Sequence, residues 1–138
     1  GLTGYIDYRP ATRQTREALV GAMAQTLYHR GPDDGGVWID AEAGVALGFR
    51  RLSILDLSPL GHQPMVSASG RYVIVFNGEI YNFKEIRTRL AQEGVVPRGH
   101  SDTEILLEAI ALWGERPAIA ACEGMFAIAV LACVSAVA

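Results

Sequence analysis

Four segments hold more polar and turn-forming residues than packing alone requires: YHRGPDDGG, RRLSILDLSPLGHQPM, FNGEIYN and HSDTE. In FNGEIYN, the Asn77 side-chain amide and the Gly78 backbone N–H are two donors that could converge on a developing oxyanion, with the Glu79 carboxylate next to them. The plainer reading of Asn77-Gly78 is a tight hairpin turn, although the pattern that follows is helical and not a returning strand. Arg51, beside an apolar run, is either a snorkelling surface residue or a guanidinium fork for a carboxylate. Asp102 lies just inside a helix start, where the helix dipole favours an acid whatever its function. Glu104 reads as a capping-box residue and not as a catalyst.

Taken together, these groups fit a small ligand with defined ends. Arg51 suits a carboxylate, Glu79 and Asp102 suit an ammonium, and Asn77 with Gly78 suits a carbonyl oxygen. A free α-amino acid with a side-chain amide, glutamine or asparagine, satisfies all three requirements. Metal chemistry has little support, because His29, His62 and His100 sit beside Gly-containing turns and form no HxxH, HExxH or HxH pattern. No serine occupies a nucleophile-elbow pattern. Cys122 and Cys133 lack CxxC spacing and read as small buried hydrophobes of a reducing compartment. A net charge of −3 with scattered arginines gives no reason to expect nucleic acid or an anionic membrane as partner. The uncharged run from Gly124 to Ala138 is too short to span a bilayer and reads as a core strand entering an atypical tail.

The elements that must position these residues follow from periodicity and punctuation. Gly1–Asp7 alternates like a first strand. Thr15–His29 shows a helical stripe through Ala18, Leu19, Ala22, Met23 and Leu27, and RGPDDGG is dense turn chemistry that ends it. Val37–Asp40 and Val45–Phe49 form a hairpin pattern, and YVIVF, Tyr72–Phe76, is the strongest strand. Asn82 is placed to cap a helix over Phe83–Glu93, with Gly94 as its stop. Ser101 and Glu104 form a capping box before ILLEAIALW, which Gly114 ends, and Met125–Leu131 is the last strand. Strands and helices arrive in separate runs, which implies an antiparallel α+β architecture. Trp38 and Trp113 are expected to be core or rim aromatics.

Five motifs in order, HRGPDDGG, RLSILDLSPLGHQPM, NGEIYN, SDTEILL and EGMFAIA, resemble the N-terminal glutaminase domain (class II glutamine amidotransferase) of glutamine-hydrolysing asparagine synthetases. The resemblance implies an N-terminal-nucleophile hydrolase fold, a four-layer αββα sandwich of two mainly antiparallel sheets. Residues 1–131 would form that domain, without its last strands, and 132–138 the atypical tail. It implies that Arg51 holds the glutamine carboxylate, with Leu52 and Ile54 lining the pocket. Asn77 and Gly78 would form the oxyanion hole, and Glu79 and Asp102 would face the ammonium. The family's attacking cysteine stands one residue ahead of the position that Gly1 matches. The sequence as it stands is therefore expected to be inactive in glutaminase turnover, with a glutamine-binding or scaffold module as the alternative. No cofactor is expected in this domain, since ATP and magnesium belong to a synthetase domain whose SGGxDS-type loop does not occur here. The expected partners are glutamine, a C-terminal synthetase domain or subunit that receives ammonia, and a second copy of the chain. The expected compartment is the cytoplasm.

Overall fold

The computed structural model describes residues 1–53 and 58–133. Two compact units are present, the first comprising residues 1–54 with 62–64 and the second residues 55–61 with 65–138. The expected tail from 134 and the predicted pocket residue Ile54 lie outside the described residues.

The first unit is a three-stranded antiparallel sheet ordered β1-β3-β2, from β1 (Leu2–Ile6), β2 (Asp34–Asp40) and β3 (Val45–Arg51), with helix α1 (Arg13–Gln25). Thr12 caps α1, its hydroxyl accepting from Thr15 N at 3.1 Å. The helix buries Arg16, Val20 and Ala24, one residue per turn. This corrects the stripe expected from sequence, since Leu19 remains half exposed. The cause lies in the sheet. A Cβ at Gly48 would stand 3.2 Å from both the Ala24 and Val20 side chains, so the helix settles on that hydrogen-only spot. Buried Arg16 donates Nη2 to Arg9 O at 2.9 Å, which lets a cation sit at the start of the stripe.

The turn expected over RGPDDGG is shorter than its composition suggests. Tyr28–Arg30 form a single 3-10 turn, and Asp34, Gly35 and Gly36 already belong to β2. Gly31 is required there, because a Cβ would meet the backbone carbonyl of Arg50 at 2.6 Å. The Arg50 guanidinium then binds the loop, donating Nε to Gly31 O at 2.9 Å and lying 4.8 Å over the Tyr28 ring.

In the second unit, β4 (Met65–Val66), β5 (Tyr72–Ile80) and β6 (Gly124–Ala132) form a second antiparallel sheet ordered β4-β5-β6. Helices α2 (Phe83–Gln92), α3 (Asp102–Trp113) and α4 (Glu115–Ala121) complete it. Tyr72, Ile74, Phe76 and Ile80 project from one face of β5 into the core built with α2, α3 and α4. Helix α3 is buried at every position from Asp102 to Ile110, as befits the central helix of that core. Helix α4 was not anticipated. Pro117 sits in its first turn, where proline is tolerated because no intrahelical N–H bond is lost there. Trp113 is a rim aromatic, donating to Glu93 Oε1 at 3.0 Å under the Arg89 guanidinium.

Candidate active site

Arg51 closes β3 and is 9 % exposed, so it is no snorkelling surface residue. On the β3 ladder it shares a sheet face with Phe49, Leu47 and Val45, while Ala46 and Gly48 point the other way, toward α1. Asp34 of β2 stands directly opposite Arg51. The following backbone is tied down, with Asp33 N donating to Arg51 O at 3.0 Å and Ser53 N to Asp33 Oδ2 at 2.8 Å. Leu52, expected to line a pocket, is 57 % exposed.

Strand β1 meets β3 in a register that pairs Leu2 with Phe49, and the ladder continues one step further. Gly1 N donates to Arg50 O at 2.6 Å, and Arg50 N returns a bond to Gly1 O at 2.9 Å. Gly1 and Arg50 are thus a hydrogen-bonded pair. Any residue preceding Gly1 and continuing the strand would face Arg51 in the closer, non-hydrogen-bonded kind of pair.

In the second unit, the Asn77-Gly78 dipeptide is not the turn it resembles. Strand β5 runs through it unbroken to Ile80, pairing Asn77 with Ala127, Gly78 with Phe126 and Glu79 with Met125. Glycine is needed at 78 because φ is +147° and a Cβ would fall on the Met125 carbonyl and 2.5 Å from Phe126 Cα. Asn77, Gly78 and Glu79 are all exposed, and Asn77 and Glu79 alternate onto the face of β5 opposite its helix-packed core residues.

Asp102 is 6 % exposed and its Oδ2 accepts from Ile80 N at 2.9 Å, so it fixes the end of β5 beside Glu79. Burial pushes its carboxyl up from the ordinary value; backbone donors at Ile80, Thr103 and its own N–H oppose this, and the Glu79 charge adds to the rise. Two acids therefore meet at one end of the strand, an arrangement suited to an ammonium. Cys122 lies near them. Burial first and then the Asp102 charge push its thiol up, which works against thiolate formation at neutral pH.

Sequence reasoning missed the residues that hold this end of β5. The predicted capping role of Asn82 is absent from α2. Its side chain instead donates to Ala121 O at 2.8 Å and accepts from Glu123 N at 2.8 Å, stitching α2 to the α4–β6 junction. Ser101 does cap α3, accepting from Glu104 N at 3.2 Å. The Glu104 carboxylate, 2 % exposed, takes Arg98 N at 2.6 Å and Gly99 N at 2.7 Å, shaping the loop that delivers Asp102. The S-x-x-E spacing was the available signal, but it indicated a helix start and not a loop clamp. Among the described residues no group of three or more His, Cys, Asp or Glu side chains could hold a metal ion.

The two antiparallel sheets with their helices make an α+β fold, and comparison with solved structures bears this fold class out. The chain superposes on the glutamine phosphoribosylpyrophosphate amidotransferase of B. subtilis with a TM-score of 0.72. That match covers 95 % of this chain and 35 % of the other at 17 % identity, which establishes fold alone. Residues 1–134 match the glutamine amidotransferase domain family, and the chain belongs to it. Asparagine synthetases are prominent among its curated relatives. It is 41 % identical over 128 residues to asparagine synthetase [glutamine-hydrolyzing] 1 of Bacillus subtilis, covering 92 % of this chain and 20 % of that protein. It is also 41 % identical over 120 residues to a putative asparagine synthetase [glutamine-hydrolyzing] of Mycobacterium tuberculosis, covering 81 % and 18 %. The chain thus spans about a fifth of the length of such relatives, and the glutamine amidotransferase domain of asparagine-synthetase-like proteins is the part it matches.

Proposed function

We propose that this domain hydrolyses glutamine and passes ammonia to a synthetase domain or subunit, with aspartate as the default acceptor. A cysteine immediately before Gly1 supplies the thiol. Its own α-amine, of a type that titrates near working pH, removes the thiol proton, and sulfur attacks the side-chain amide carbon. Asn77 and Gly78 stabilise the oxyanion, the ammonium formed at the α-amine returns its proton to the departing nitrogen, and ammonia leaves a thioester. Water then attacks the thioester carbon, glutamate departs and the thiol is restored. Arg51 holds the substrate carboxylate, Glu79 and Asp102 its ammonium, and Leu52 and Ile54 flank its chain.

The observation that carries this reading is the register of β1 on β3, which pairs the position before Gly1 with buried Arg51. The step needs no cofactor, and ATP with magnesium would serve only the synthetase reaction. Cytoplasmic residence is part of the same reading; no helix among the described residues is long and apolar enough to cross a membrane. The same reading includes self-association of the whole protein, which sedimentation velocity tests. The function is tested by ammonia release and glutamine calorimetry on the full-length protein. Arg51→Ala should weaken glutamine binding by about 2–5 kcal/mol, the range for truncating one partner of a buried charge pair. Equal affinities would refute the assignment.

A further inference from the structure

Two motifs singled out in the sequence, RGPDDGG and GHQPM, have no role in the reaction as described. The structure brings them together. His62 Nδ1 lies 2.6 Å from Asp34 Oδ2, and Asp34 Oδ1 accepts from Gly35 N at 2.8 Å. An ionised carboxylate only accepts, so His62 carries its proton on Nδ1. The His62–Gln63 segment lies against the β2 face that bears Asp34 and Gly36. A Cβ at Gly36 would collide with the Gln63 carbonyl and stand 2.8 Å from His62 Nε2. That is the face from which Arg51 also projects, because Asp34 pairs with Arg51 and Gly36 with Phe49. Burial raises the Asp34 carboxyl, but the His62 and Gly35 hydrogen bonds and the His62 and Arg51 charges outweigh it and hold the group below its ordinary value.

We propose that Asp34 and His62 are positioning residues for Arg51: Asp34, opposite Arg51 across the β2–β3 ladder, orients the guanidinium toward the substrate carboxylate, and His62 fixes Asp34. The pair touches no reacting atom. It acts on recognition of the α-carboxylate alone and deepens the reading in which Arg51 binds that group. Gly36 belongs to the same device, since only a residue without a side chain lets His62 reach Asp34.

The test uses the full-length enzyme and two substrates, glutamine and 4-aminobutanamide, which is glutamine without its α-carboxylate. Asp34→Asn and His62→Leu should each raise KM for glutamine about tenfold, the scale of a slightly misdirected binding group, with kcat within about twofold. For 4-aminobutanamide, kcat/KM should stay within about twofold of the parent enzyme. His62→Asn, whose amide N–H stands where Nδ1–H stood, should restore glutamine KM, and Gly36→Ala should reproduce His62→Leu. Equal losses on both substrates, or a His62→Asn enzyme no better than His62→Leu, would overturn the proposal. Arg51→Ala separates the two ideas. If it discriminates between the substrates while Asp34→Asn does not, the positioning pair is wrong. If Arg51→Ala itself fails to discriminate, the carboxylate assignment is wrong.

Discussion

Replacing Asp102 separates what this residue does for the fold from what it does for the ligand. Its Oδ2 accepts from Ile80 N at 2.9 Å in a position only 6 % exposed. Asp102→Ala leaves that N–H without its acceptor, and an orphaned buried donor costs about 1–3 kcal/mol. At about 1.4 kcal/mol per decade, a middle value of about 2 kcal/mol corresponds to roughly thirtyfold faster exchange of the Ile80 amide. Asp102→Asn keeps an oxygen in place and removes a desolvated charge, so protection at Ile80 should survive. The pH dependence has a defined sign. A carboxyl raised in the folded state binds its proton more tightly there than in the unfolded chain. The cost of burying the charge is therefore complete above the folded value and is relieved as pH falls through it toward the unfolded value. Asp102→Asn should lack this component. Both variants should weaken glutamine binding, because neither offers a negative charge to the ammonium. Hydrogen exchange of the 76–82 segment with calorimetry reads both effects. An Asp102→Asn amide as labile as that of Asp102→Ala would refute the acceptor role, and undiminished glutamine affinity in Asp102→Asn would refute the ligand role.

Three further outcomes follow from the same end of the second unit. Glu104→Ala removes two charge-assisted bonds from Arg98 N and Gly99 N and should lower stability in urea by about 3–5 kcal/mol; a loss under about 1 kcal/mol would show the loop holds itself. Gly78→Ala forces a side chain onto the β6 backbone at a φ of +147°, and should cost more than about 2 kcal/mol and abolish glutamine turnover. Parental stability in the Gly78→Ala protein would contradict the close approach. Cys122, with its thiol pushed up by burial and the Asp102 charge, should react with thiol reagents more slowly at neutral pH than a free cysteine peptide. Faster reaction would mean that the site is more open than its burial indicates.

Much of this was legible in the residues because local chemistry and tertiary role coincided. YVIVF is a strand in isolation and in the sheet, and Ser101 caps α3 as its spacing requires. The failures share a cause: the deciding partner was distant in sequence. Asn77-Gly78 reads as a turn until β6 arrives beside it, and Gly78 is then the residue that permits the approach. Asn82 reads as a cap until the backbone at Ala121 and Glu123 competes for its amide. The α1 stripe was misjudged by rotation, because hydrophobicity favoured Leu19 whereas the small surface at Gly48 selects Val20 and Ala24. Among the candidate site residues, the burial of Arg51 removes the surface reading that sequence left open. The His62–Asp34 contact joins residues 28 positions apart and left no sequence signal beyond the presence of its two motifs.

The central claim is that a thiol one residue ahead of Gly1, opposite Arg51, is the nucleophile for glutamine. Treating the full-length protein with a diazoketone analogue of glutamine and mapping the adduct by peptide mass spectrometry tests it directly. A single adduct on a cysteine immediately preceding Gly1, lost in Arg51→Ala and blocked by excess glutamine, is the predicted result. An adduct on Cys122 or Cys133, or glutamine hydrolysis by a protein with no cysteine before Gly1, would contradict it.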